Sequence, residues 1–334
     1  MSFRDRKNRA QYAFQPGVPV VFTIPEGGKV LSGRVIITGN VVISGGTTNG
    51  TVIDEGGPIG LIKRITVTAN RLSTSRYPGG KIVDNTPRAL TRYAITQHAG
   101  KFVGELAGST LGGGAAGTYP IYLSIPIFFA DCVQRNQMMT ALNMDSGTYQ
   151  SVQVKVDTAS DLTGCFTGND RLITNSTLMV QWKDDRLGLT GDTTPIFQED
   201  HILQIMAANS RTQDAGMPVD GAFSSMLILA EQGVQHTLSD AIVNRVIFEG
   251  ASLAFNEYGN DIREQMIADE WYDPSQTATG QYFLDFTDGF QQFNNCPAPG
   301  LLVQLDLNNP SGAALDELRI YTRRIFPLLP AASN

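Results

Sequence analysis

The stretch GLIKRITVTAN, residues 60–70, alternates apolar and polar side chains, as a strand with one face in a core does. The chain writes its opening again inside AIVNRVIFEGASLAF, residues 241–255, where Ile62-Lys63-Arg64-Ile65 is answered by Val243-Asn244-Arg245-Val246. The elements after each copy recur in the same order. After 60–70 come a helix pattern at 87–98 and strand patterns at 119–128, 151–158 and 177–184. After 241–251 come a helix pattern at 260–271 and strand patterns at 280–287, 300–307 and 317–324. The offset shrinks from about 181 to about 140 as the longer loops of the first copy are left behind. Sequence identity between the halves is slight, so the duplication rests on element order. Two copies of one mostly-β unit explain that order better than one continuous sheet.

Other short runs read as strands: VPVVFTI (18–24), KVLSGRVIITG (29–39), NVVISG (40–45), DHILQIMAAN (200–209) and FSSMLILAE (223–231). Glycine pairs such as Gly27-Gly28 and Gly79-Gly80 fall between such runs, where turns need positive φ. The alternation in SVQVKVDT and LLVQLDL predicts sheets with one face in a core, whereas the continuous runs YPIYLSIPIFF and VPVVFTI predict strands covered on both faces. The first helix pattern has Thr86 as N-cap and Pro87 at its first position, with Leu90, Tyr93, Ala94 and, at the same spacing, His98 on an apolar stripe and Arg88, Arg92 and Lys101 toward water. The second is capped by Asn260 or Asp261 and carries Ile262, Met266, Ile267 and Trp271. The fold class read from this is all-β with a few short helices, as two tandem eight-stranded jelly-roll β-barrels. The expected boundaries are a basic arm at 1–15, a first jelly roll at 16–190 and a second at 191–334.

A formal charge of −7 argues against a general nucleic-acid coat, since phosphate binding needs a basic face. The local exception is MSFRDRKNRAQYAF, where Arg4, Arg6, Lys7 and Arg9 stand against Asp5 alone. That segment reads either as a disordered, solvated tail or as an arm that orders against a membrane's anionic face or neighbouring subunits, with Tyr12 and Phe14 anchoring its base. No apolar h-region follows it, and no run reaches the ~18 apolar residues that span a bilayer, so a soluble, cytoplasmically made protein is expected. Chemistry is harder to find. His98, His201 and His236 stand singly with no H-x-H pair, so neither a metal centre nor a cofactor is expected. No G-x-S-x-G elbow occurs, and LGGGAAG lacks the G-K-[ST] ending of a phosphate loop. Asp184-Asp185, Glu199-Asp200, Asp269-Glu270 and Asp316-Glu317 are sequence neighbours that point to opposite faces of a strand, and they read as solvated charge at element ends. Cys132, Cys165 and Cys296 read as small buried hydrophobes, and Trp182 and Trp271 as packing residues. No catalytic residue, and hence no enzyme, is expected.

The basic arm, the tandem barrels with a helix in each and the lack of a catalytic set resemble the double jelly-roll major capsid proteins of tailless icosahedral viruses with an internal membrane, phages among them. GLIKRITVTAN, NTPRALTRYAI and LDELRIYTRRIFPL carry the resemblance most directly. It implies a virion protein with copies of itself as partners, in pseudo-hexagonal trimers that tile a shell. It further implies contact with the membrane and with minor capsid proteins, but neither a small-molecule substrate nor sequence-specific nucleic acid. Arg4, Arg6, Lys7 and Arg9 would then face inward, and 107–118 and 129–148 would be tower or intersubunit loops. Two other readings stand beside it: a carbohydrate-binding tandem β-sandwich, and a minor capsid or spike protein.

Overall fold

The computed structural model describes residues 4–44, 57–97, 116–130, 140–165, 172–188, 192–205, 211–218, 220–233, 236–249, 254–268, 279–286, 302–308, 316–326 and 328. The first half runs β1 (Arg4–Ala13), β2 (Val20–Thr23), β3 (Lys29–Ile43), a 3-10 turn (Gly57–Leu61), β4 (Ile62–Arg71), β5 (Gly80–Asn85), α1 (Pro87–Gln97), β6 (Gly117–Phe128), β7 (Leu142–Asn143), β8 (Tyr149–Thr158), β9 (Ile173–Thr174) and β10 (Met179–Leu187). The second runs β11 (Phe197–Gln204), β12 (Arg211–Asp214), β13 (Ala222–Gln232), β14 (Thr237–Leu238), β15 (Val243–Glu249), β16 (Ala254–Tyr258), α2 (Gly259–Ala268), β17 (Gln281–Asp285), β18 (Leu302–Leu307) and β19 (Glu317–Ile325).

Strand pairing shows the repeat more clearly than the sequence does. In the first half one sheet has the order β1-β10-β3-β6, and the other strands run β5-β4-β8-β2. In the second half β11-β19-β13 continues to β17 through β13, and the facing order is β16-β15-β18-β12. Strand for strand these orders are the same, and each helix follows the corresponding strand, β5 or β16. The expected partners therefore match: β4 with β15, β6 with β17, β8 with β18 and β10 with β19. Two strands read as separate, at 29–39 and 40–45, are one 15-residue strand, β3. Gly39 carries it through the join at φ 126°, where a Cβ would lie 2.2 Å from the Thr177 carbonyl oxygen.

The chain divides into two compact units. One comprises residues 1–91, 102–198 and 326–334, and the other residues 92–101 and 199–325. In the first unit the ladder row Phe22–Val154–Val67–Val83 is fully buried, as is the row Trp182–Val35–Ile125. Trp182 is thus a packing residue; Trp271 lies outside the described residues. β6 is buried on both faces from Leu123 to Ile127, as its continuous apolar run predicts. β2 differs, because it ends its sheet's order and alternates, with Val20 and Phe22 buried but Val21 exposed. Thr86 caps α1 as read, its Oγ1 accepting from Ala89 N and its carbonyl from Leu90 N. Arg88 and Arg92 do not face water, however; they are buried with the rest of residues 87–96, because a helix covered on every side has no solvent stripe. In α2, Ile262 and Met266 are buried as the stripe requires.

Candidate functional site

Residues 4–13 form β1, which sits at the end of its sheet's order and pairs antiparallel with β10. Its counterpart in the repeat is β11, so this strand belongs to the barrel's own pairing pattern. The register sets Asp5 opposite Arg186, Arg6 opposite Asp185 and Lys7 opposite Asp184, so the two strands carry complementary charge. Arg4 stands opposite Leu187, and Arg9 falls at the register shift between Asn8 and Ala10. Lys7 is exposed. A bulge and a run of cations are two devices that keep an edge strand from pairing with a stray chain. The base is anchored as expected: Phe14 is buried with its N–H donating to the Leu178 carbonyl, and the Tyr12 ring lies 5.1 Å from Phe22.

Among the described acidic pairs most carboxylates are buried, Glu199 being the half-exposed exception. Asp184 and Asp185 lie inside β10 and are buried, and Asp184 accepts from Arg186 at 2.8 Å. The same guanidinium donates to the carbonyls of Pro25 and Gly27, tying β10 to the turn before β3. Asp200, Asp316 and Glu317 are buried too; Asp269-Glu270 lies outside the described residues. Sequence missed these sites because alternation along a strand says which residues share a face, not whether that face meets water.

The second unit gathers most of this buried charge. Glu231, near the end of β13, is the register partner of Glu317, at the start of β19, so two carboxylates face each other across the ladder. Arg319, two residues along β19, donates to Asp200 on β11 at 3.2 Å, to Glu231 at 3.3 Å and to Glu317 at 3.4 Å. His236 enters from the turn after β13, its Nδ1 3.2 Å from a carboxylate oxygen of Glu231 and 3.2 Å from one of Glu317. Hydrogen bonding to Glu231 and then Glu317, against the opposing effect of burial, raises the imidazole pKa to about 9. Burial alone would raise Glu317, but the bonds from His236 and from Glu231, with the His236 and Arg319 charges, hold its carboxyl at about 2. His236 is therefore not the isolated residue its sequence surroundings suggest, and Glu231, His236 and Glu317 could together hold a metal ion. A little further along β19, Arg323 donates to the Tyr93 hydroxyl and lies 4.6 Å from that ring's centre.

Elsewhere chemistry is sparse. His201 bonds the Ala215 carbonyl at 2.8 Å, and His98 lies outside the described residues. Cys165 is a free thiol whose pKa burial pushes up, which suits a packing residue and not a nucleophile. Cys132 and Cys296, residues 107–115 of the glycine-rich loop and residues 131–139 lie outside the described residues. Among the described residues no helix is long and apolar enough to cross a membrane.

No family model matches this sequence, and no curated protein does so. Solved structures do. The chain is similar to the major capsid protein of Sulfolobus Turreted Icosahedral Virus at a TM-score of 0.67 and 10% identity, over 98% of each chain. It is similar to the capsid protein of the virus PBCV-1 at 0.60 and 10% identity, over 97% of this chain and 93% of the other. A third likeness is to the major capsid protein of Bacteriophage PM2, at 0.56 and 12% identity, over 97% and 98%. Both barrels are covered in each case, and the fold of this chain is the double jelly roll.

Proposed function

We propose that this chain is the major capsid protein of a virus and has a structural, non-catalytic role. In this reading three copies form a pseudo-hexagonal trimer, and trimers tile an icosahedral shell around an internal membrane and genome. The observation that carries it is the identity of strand order in the two units. Three chains with two like barrels each present six similar lateral faces, which is what a nearly sixfold tile requires. The likeness to capsid proteins along nearly the full length of this chain supports the same role. β1 is then an inward-facing element, with Arg4, Arg6, Lys7 and Arg9 toward the membrane or a neighbouring subunit. Minor capsid proteins are further partners, and the protein resides in the virion after synthesis in the host cytoplasm.

Electron micrographs of the purified protein test this reading. Particles with a hexagonal outline built from three chains are the expected result; separate two-barrel particles at every concentration would contradict it. The membrane-facing role of β1 has its own test, flotation with vesicles containing anionic lipid. Replacement of Arg4, Arg6, Lys7 and Arg9 by Gln should abolish co-flotation, and equal flotation of both proteins would remove β1 from that role.

A further inference from the structure

The geometry points to a divalent-cation site made by Glu231, His236 and Glu317, with the ion replacing the proton on His236 Nδ1. Nothing in the capsid reading requires such a site. Two glutamates directly opposite in a ladder repel one another unless a proton or a cation lies between them. Both are buried here, at 0% and 7% exposure, so water screens them poorly. Arg319 approaches from one side and is shared with Asp200. A proton on His236 supplies this cluster with one positive charge, and a divalent ion would supply two.

The spacing also fits an ion. His236 Nδ1 is 3.2 Å from Glu231 Oε2 and 3.2 Å from Glu317 Oε1, and the three ligand atoms all lie within 4.8 Å of one another. A tetrahedral site with bonds of about 2.0 Å has edges of about 3.3 Å between ligand atoms. A single N–H can point well at only one of two equidistant oxygens, whereas an ion binds both. Arg319 Nε takes the other oxygen of Glu231, Oε1, which leaves Oε2 toward the histidine. Glu317 Oε1 serves both Arg319 and the ion. His236 is 32% exposed, so a water can reach the fourth position and the metal has a way in. The turn that presents the imidazole is braced by two bonds, from Gly233 N to the Asp316 carboxylate and from His236 N to the Gly233 carbonyl. One imidazole with two carboxylates suits a first-row divalent ion of the zinc or manganese kind.

The test uses the full chain, stripped with chelator and dialysed against micromolar Zn2+. One zinc per chain is expected, with a melting temperature that climbs as free zinc increases. His236→Gln and Glu317→Gln, each checked for fold by circular dichroism, should weaken zinc binding by at least about 10-fold. Should the variants not fold, nitrogen-edited imidazole spectra of the unmodified chain decide the matter, since the chain has three histidines. Zinc should then shift Nδ1 of His236. No retained zinc, equal retention by His236→Gln, or an unmoved His236 would each overturn the site.

Discussion

At the scale of single residues, buried and half-buried charges tie strands of the second unit to one another. His236 and Glu317 make its stability depend on pH in the absence of metal. The imidazole pKa rises on folding from 6.5 to about 9. Its contribution is therefore complete below pH 6.5 and disappears as pH rises through 9. The Glu317 carboxyl falls from 4.5 to about 2, so its contribution is complete above pH 4.5 and disappears as pH falls toward 2. Melting temperatures taken in chelating buffer should decline from pH 7 to pH 10, and His236→Gln should flatten that limb. A limb unchanged in the variant would mean that other groups set it. Tyr93 offers a second test, packing 4.9 Å from Tyr321 and 5.9 Å from Phe283 while its hydroxyl accepts from Arg323. Removing the hydroxyl in Tyr93→Phe should cost about 1–3 kcal/mol, and Tyr93→Ala about 3–5 kcal/mol, by denaturant titration. A Tyr93→Phe protein as stable as the parent would show that the ring, and not the bond to the buried guanidinium, is what matters.

At the scale of elements, the close approach of β3 to β10 explains a glycine. A Cβ on Gly33 would fall 1.8 Å from the Trp182 ring, so Gly33→Ala must displace a fully buried indole. The expected loss is about 1–3 kcal/mol, while Gly188→Ala, with nothing within 4 Å, should be near neutral. A chain beginning at Phe14 should lose stability and aggregate, because β10 then presents a bare edge; an unchanged midpoint would show β1 to be dispensable. These elements were legible in the sequence to different degrees. GLIKRITVTAN and SVQVKVDT alternate because one face packs and the other does not, and Thr86-Pro87 marks a helix start by its local chemistry. Arg88, Arg92, Asp184 and Glu317 misled for one reason: a polar stripe looks the same in sequence whether it faces water or a layer that covers it. The meeting of Glu231 with Glu317 was illegible because it depends on the register between strands 86 residues apart.

At the scale of the molecule, the strand written twice is explained by two copies of one barrel pairing pattern. The units are not cut cleanly in sequence, since residues 92–101 group with the second unit and 326–334 with the first. A chain with two like barrels suits the shell tile proposed for it. The mass of the purified chain in solution, by size-exclusion chromatography with light scattering, tests that use most directly. Three copies of a 36.2 kDa chain predict a species of about 109 kDa. A monomer that persists at high concentration would rule out the trimeric tile.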